Sequence, residues 1–140
     1  MLKNLFKKKG ESPKDKNILI IALLVHAAKI DENYTEIEKE IIKKVIMQLN
    51  GINLDESEKL LKIAEKKEEE SNQIIGFTSE IKKYSMEFRL KIIEIIWKIV
   101  YSDGASDNYE TNLIRRICGL LYVSDKDNGI IKTKVQNLLK

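Results

Sequence analysis

The sequence of 140 residues predicts an all-α fold, a compact bundle of about six or seven helices built from two pseudo-symmetric helical repeats. Three observations lead to this prediction. Apolar residues recur at helical spacing, and no stretch alternates with the period of a β-strand. Several of the apolar runs follow a Ser, Thr or Asp with Glu three residues later, a pattern typical of helix N-termini. The chain also matches itself when it is shifted by 72 residues.

Charge divides the chain into a basic arm and a nearly neutral domain. Residues 1–17 carry six lysines and a net charge of +4, whereas the remaining 123 residues carry a net charge of −1. Apolar residues make up 43% of the chain, enough for a core in a domain of this length. We therefore predict a flexible basic arm over residues 1–17 and one helical domain over residues 18–140.

The arm contains a short basic amphipathic patch. Leu2, Leu5 and Phe6 lie among four lysines. This pattern fits either a peripheral contact of residues 1–10 with an anionic membrane or a solvated tail. The apolar run at residues 18–25 is shorter than the roughly 20 residues that span a bilayer, so we expect a cytoplasmic protein in which this arm is the candidate membrane contact. The single cysteine, Cys118, lies in a helical apolar pattern and is predicted to be a core residue.

The first two helices follow from an apolar run and a capping pattern. The run at residues 18–25 predicts a central helix from about Lys16 to Ile30, buried on most sides. Thr35 and Glu38 form a capping box that opens a second helix, and Gly51 ends it. The apolar face of this second helix is predicted to comprise Ile37, Ile41, Ile42, Val45, Ile46 and Leu49.

The next segment predicts a charged helix and a short one. Asp55 and Glu58 form the pair expected to open the third helix, whose run at residues 65–70 is expected to face solvent. Thr78 is expected to cap a short helix that ends near Tyr84. The residues expected to face the core here are Leu60, Leu61, Ile63, Ala64, Ile74, Ile75 and Phe77.

Three further helices complete the bundle. Ser85 is expected to cap a long, mostly apolar helix over residues 86–102, with one polar stripe formed by Glu87, Lys91, Glu94, Lys98 and Ser102. Asp107 and Glu110 are the capping pair of a helix that ends near Leu121. Ser124 caps the last helix, which ends near Leu139.

The shift of 72 residues aligns two acidic turns. Asp31 falls on Asp103, and Glu38 falls on Glu110. Such a duplicated helix-turn-helix unit should pair its long helices about a pseudo-twofold axis. In the same register His26 falls on Lys98, which belongs to the polar stripe. His26 is therefore predicted to be a surface residue.

The acidic turns are the candidate metal site. Carboxylates on a tight turn suit a hard divalent cation such as Ca²⁺ or Mg²⁺. The candidate ligands are Asp103, Asp107 and Glu110, joined by Asp31 and Glu38 across the pseudo-axis. A purely structural role explains most of the same residues, because Gly104 suits a helix C-terminus and Asp107 with Glu110 suits a capping box. The sequence leaves both interpretations open.

Other function classes receive less support from the motifs. The sequence shows no Ser/His/Asp or Cys/His set, no glycine-rich phosphate loop and no zinc-ligand spacing, so we predict that the protein is not an enzyme. Basic residues of the domain are interspersed with acidic ones, so nucleic acid is not an expected partner. The alternative to a cation site is an interaction module that docks protein partners or a membrane surface.

The second turn and its flanks resemble the TerB-like tellurite-resistance family. The resemblance rests on residues 94–104, on Asp107 and Glu110, and on residues 113–117; residues 24–28 and 77–79 agree with it. It implies an all-helical bundle with internal pseudo-symmetry, links to tellurite resistance and stress responses, no established catalytic activity and a proposed metal-binding acidic surface. The second turn keeps the family pattern Asp-Gly-x-x-Asp-x-x-Glu. The first turn departs from it, with Glu32 in place of glycine and Thr35 in place of aspartate.

Overall fold

The computed structural model describes residues 13–30, 34–71, 73–103 and 108–138. Over these residues the chain forms seven α-helices and no strand, which confirms the all-α class. The helices are α1 (Pro13–Ala28), α2 (Glu36–Asn50), α3 (Leu54–Glu69), α4 (Ile75–Ile81), α5 (Met86–Val100), α6 (Asn108–Leu120) and α7 (Asp125–Leu138); a 3-10 turn, Tyr101–Asp103, continues α5.

Helix α1 forms the centre of the bundle. Its residues 20–25 are fully buried, and the helix contacts α2, α3, α4, α5 and α6. A helix that is apolar nearly all round is stable only when neighbouring helices cover most of its surface, as they do here, although Ile18 and Leu19 stay partly exposed. α1 begins at Pro13, three residues before the predicted start, because proline suits the first helical position. The last residues assigned to the arm, residues 13–17, therefore belong to this helix.

Helix α5 is the second buried helix and packs against α1. The hydroxyl of Ser85 accepts a hydrogen bond from the backbone N–H of Phe88 at 3.1 Å, which confirms the predicted cap. The indole of Trp97 is buried, stacks on the Tyr101 ring with 5.5 Å between centroids, and donates to the Asn128 side chain at 2.9 Å. These contacts attach α7 to the centre of the bundle.

The ends of α2 and α7 also agree with the sequence. Thr35 and Glu38 form the predicted capping box, and Gly51 ends α2 in the left-handed conformation with φ of 63°. Ser124 caps α7 by accepting from the backbone N–H of Asp127 at 3.1 Å. Each of these signals is local, because the cap and its backbone partner lie within four residues.

Two predicted caps are wrong. Asn53, rather than Asp55, caps α3, with its side chain accepting from the backbone N–H of Glu56 at 2.9 Å. Asp55 then lies in the first turn, where its charge suits the positive end of the helix dipole. Thr78 does not cap α4 but lies inside it, and its hydroxyl donates to the backbone carbonyls of Ile74 and Ile75. No side chain caps the start of this short helix.

Three isoleucines predicted to be core residues are exposed. Their exposed fractions are 61% for Ile37, 47% for Ile63 and 47% for Ile75. Ile37 and Ile75 lie in the first turn of their helices, beyond the contact with the next helix. Ile63 lies beside the packed face of α3, which comprises Ser57, Leu60, Leu61 and Ala64. Helical spacing alone does not say how wide the covered face of a helix is.

The order of helices is consistent with the predicted repeat. The predicted repeat pairs α1 and α2 with α5 and α6. In each of these two helix pairs, a polar residue near the start of the first helix donates a hydrogen bond to the C-terminal end of the second. Asn17 donates to the Asn50 side chain at the end of α2, and Arg89 donates to the Leu121 carbonyl at the end of α6, at 2.7 Å. A twofold relation between the halves stays a prediction.

Candidate functional site

The first acidic turn has one described candidate ligand, Glu38. Its side chain is buried, and its Oε1 accepts a hydrogen bond from the backbone N–H of Thr35 at 2.7 Å. The Thr35 hydroxyl accepts in return from the backbone N–H of Glu38 at 3.1 Å. The carboxylate therefore holds the start of α2 in place. Asp31, the other candidate in this turn, lies outside the described residues.

The second acidic turn is described only at its edges. Asp103 ends the 3-10 turn after α5, and its side chain lies outside the described part of the structure, as does the whole of Asp107. Glu110 is the third residue of α6, the position that Glu38 occupies in α2, and it is also buried. Among the described residues, no group of three or more His, Cys, Asp or Glu side chains could hold a metal ion. The described carboxylates alone do not form a cation site, so the five-residue ligand set stays a prediction.

A third buried carboxylate, Glu94, lies in a cluster of lysines. Its oxygens lie 3.3 Å from Lys91 Nζ, 3.2 Å from Lys98 Nζ and 2.7 Å from Lys134 Nζ, and its side chain is 9% exposed. Burial alone would raise the pKa of Glu94, but hydrogen bonds and charge from Lys134, Lys98 and Lys91 lower it to about 2. The sequence predicted the polar stripe of α5. It did not predict the hydrogen bond from Lys134 of α7 to Glu94, because the two residues are 40 positions apart.

A similar ion pair joins α1 to α3. Glu68 accepts from Lys29 Nζ at 3.0 Å and lies 3.0 Å from His26 Nδ1. Burial raises the pKa of Glu68, whereas the hydrogen bonds from Lys29 and His26 outweigh this and lower it. His26 is partly exposed, as predicted, but it has a structural partner. The prediction that residues 65–70 face solvent is wrong for Glu68, which is 12% exposed.

Two surface grooves leave apolar side chains accessible. The α1–α3 groove has a volume of 510 Å³ and is lined by Ile18, Leu19, Ile63, Lys66, Lys67 and Glu70. The α5–α7 groove has a volume of 390 Å³ and is lined by Glu87, Leu90, Lys91, Glu94, Asp127, Ile130, Ile131 and Lys134. The first groove lies between α1 and the C-terminal part of α3, and the second lies between α5 and α7. The sequence analysis identified neither, although exposed isoleucines among charges are the signal that marks them.

The family model described as "Tellurite resistance protein TerB" matches residues 17–133. This match covers most of the chain. The chain belongs to the TerB family. No curated protein and no solved structure gives a significant match.

The matched region of this TerB domain includes both acidic turns, the α1–α3 groove, the α5–α7 groove except Lys134, and most of every helix. Residues 1–16, which contain most of the basic arm, lie outside it. No helix in the described part of this TerB chain is long and apolar enough to cross a membrane.

Cys118 is buried in α6, and burial raises the pKa of its thiol to about 12. A thiol in this state stays protonated and unreactive, which agrees with its predicted core position.

Proposed function

We propose that this TerB domain is a non-enzymatic interaction module that docks a protein partner in the α1–α3 groove. The observation that carries this proposal is Ile63, which remains 47% exposed beside Ile18 and Leu19. Lys66, Lys67 and Glu70 border this apolar floor. An exposed apolar patch with a charged rim is typical of a surface that another protein covers.

The chemistry of the described polar groups supports a non-enzymatic role. Glu38 caps a helix, while Glu68 and Glu94 are paired with cations that lower their pKa. Cys118 is held as a buried thiol. Catalytic groups usually exchange protons near neutral pH, whereas the pKa values of Glu68, Glu94 and Cys118 are shifted away from neutral pH. The three carboxylates serve contacts between or within helices.

Site-specific photo-crosslinking in cells tests the docking proposal. We expect a photoreactive residue at position 63 to give discrete protein adducts, because a docked partner would cover the groove. The same residue at position 37, which is also exposed but lies outside both grooves, serves as the matched control. Adding Lys66→Glu/Lys67→Glu should reduce the adducts at position 63. Identical adducts at positions 63 and 37 would rule out the groove as the docking site.

Cation binding at the second acidic turn is the second candidate function. The observation that favours it is the burial of Glu38 and Glu110 at matching positions beside the two turns. Ca²⁺ or Mg²⁺ would take oxygen ligands from Asp103, Asp107 and Glu110, with Asp31 and Glu38 joining across the predicted pseudo-axis. The competing role for these residues is helix capping, which the contacts of Glu38 illustrate.

Calorimetric titration distinguishes the two roles of the second turn. For a cation site we expect Ca²⁺ or Mg²⁺ to bind with a Kd below about 100 μM and to stabilise the fold by mass action. The variant Asp103→Asn/Asp107→Asn should lose this binding, because it removes two anionic ligands while keeping side chains of the same size. Absence of binding heat and of a thermal shift in the unmodified protein would leave these residues as caps.

The biological setting is part of the proposal. The description of the matching family supports a role in tellurite resistance or a related stress response. The composition supports a cytoplasmic location, and the lysines of residues 1–10 would bring the domain to an anionic membrane or a membrane-bound assembly. Protein partners are expected, and nucleic acid is not.

A further inference from the structure

The α5–α7 groove has an apolar floor with opposite charges at its two ends. Leu90, Ile130 and Ile131 form the floor, and Ile130 is 57% exposed. Two carboxylates, Glu87 and Asp127, border one end. The other end has three lysines around one carboxylate, Lys91, Lys98 and Lys134 with Glu94. Among the side chains that line the groove, the first end therefore carries a net charge of −2, and the second end, with Lys91, Lys134 and Glu94, carries a net charge of +1. Lys98 lies outside this lining but contacts Glu94 and adds a further positive charge beside the second end.

The direction of the two helices produces this separation. Trp97 bonds to Asn128, and four residues later Tyr101 bonds to Gln136, so α5 and α7 run in the same direction. On both helices the acidic residue precedes the apolar residues, and lysine follows them. At 1.5 Å per residue, Asp127 and Lys134 are about 10 Å apart along α7. The charge therefore changes sign along the groove rather than across it.

We propose that the α5–α7 groove binds the same groove of a second copy of this chain. In a twofold dimer each patch meets itself, so a twofold axis through the apolar floor places the acidic end of one copy over the basic end of its partner. Leu90, Ile130 and Ile131 of the two copies then bury one another. A patch with charge of the same sign at both ends would repel itself in this arrangement.

The α1–α3 groove lacks this pattern. The charged residues of its described lining are Lys66 and Lys67 of α3 and Glu70, which follows α3, so charges of opposite sign lie together there rather than at two ends. The two grooves therefore suit different occupants. Self-association through α5–α7 does not depend on the docking of another protein at α1–α3, and separate variants test the two proposals.

Sedimentation equilibrium of the full chain over a concentration series tests the dimer. We expect a monomer–dimer equilibrium in which Ile130→Arg raises the dimer Kd at least tenfold. Ile63→Arg, which places the same side chain in the other groove, should leave the Kd within about twofold. Both positions are exposed, so both variants should keep the helical content of the unmodified protein by circular dichroism. A chain that stays monomeric at millimolar concentration, or one that Ile63→Arg disrupts more than Ile130→Arg, would overturn the proposal.

A mixing experiment tests the twofold arrangement itself. Glu87→Lys/Asp127→Lys makes both ends basic, and Lys91→Glu/Lys134→Glu/Glu94→Gln makes both ends acidic. Each variant alone should repel itself and sediment as a monomer, while their equimolar mixture should form a heterodimer at low salt. The glutamine removes the buried carboxylate that these lysines neutralise. If the triple variant does not fold, the double variant alone provides the test. Formation of homodimers by the double variant, or the absence of a heterodimer in the mixture of the two folded variants, would contradict the twofold contact.

Discussion

Replacing Trp97 with alanine is expected to lower the free energy of unfolding by about 3–5 kcal/mol. The indole is fully buried, and its removal leaves a cavity that the surrounding helices fill only in part. The change also removes the stacking on Tyr101 and leaves the Asn128 side chain without its indole donor. Because α7 is attached to α5 through these contacts, we expect the variant to unfold at markedly lower denaturant concentration.

Chemical denaturation followed by far-ultraviolet circular dichroism measures this loss. Fluorescence is unsuitable, since Trp97 is the only tryptophan in the chain. Asn128→Ala should cost about 1 kcal/mol, the typical net value of a single hydrogen bond. Ile37→Ala, on an exposed surface, should change the stability by about 0.5 kcal/mol or less. A loss below about 1 kcal/mol for Trp97→Ala would show that this ring does not anchor α7.

Acid should remove the stabilisation that Glu94 supplies. The surrounding lysines lower its pKa from the ordinary value of 4.5 to about 2, so the folded state favours the ionised form. The contribution is complete above the unfolded pKa near 4.5 and is lost as the pH falls from there towards about 2. Linkage sets an upper bound of about 3 kcal/mol; since the lysines are 41–59% exposed, we expect about 1–2 kcal/mol at moderate salt.

The substitution Glu94→Gln isolates this contribution from other acidic groups. Glu68, whose pKa is also lowered, titrates in both proteins and therefore cancels in the comparison. We expect the difference in unfolding free energy between the unmodified protein and the variant to be largest near pH 6 and to fall to a small fraction of that value near pH 2. High salt should reduce it at pH 6, because the lysines are exposed. A difference that does not change between pH 6 and pH 2.5 would mean that the lysines do not hold the carboxylate ionised.

The sequence predicts those parts of the candidate site whose residues lie within a few positions of one another, and it does not predict the contacts between helices. The acidic turns are visible in the sequence because the acidic residues of each turn lie within eight positions of one another. Glu38 fits a capping box because Thr35 lies three residues before it. The lysine that completes the Glu94 cluster comes from another helix, and no local pattern pairs it with α5. The grooves escape sequence analysis for the same reason, since each depends on the space between two helices.

The sequence by itself determined the all-α class, the order of the helices and the ends that local capping fixes. These features depend on helical periodicity and on hydrogen bonds within one turn, both of which act between neighbours along the chain. Ser85, Ser124 and Gly51 are examples. Asn53 was missed because Asn53 and Asp55 lie close together and both suit a helix start.

The tertiary structure alone decided which apolar residues are covered and which charges are paired. Ile37 and Ile63 satisfy the helical pattern as well as their buried neighbours do, yet both are exposed, because coverage depends on how closely the next helix approaches. Glu68 lies in a charged run that predicts a solvent-exposed face, yet it is only partly exposed and is paired with His26 and Lys29 at and just after the end of α1. Burial and pairing of this kind arise between residues that are distant in sequence, and only the packed arrangement of helices brings them together.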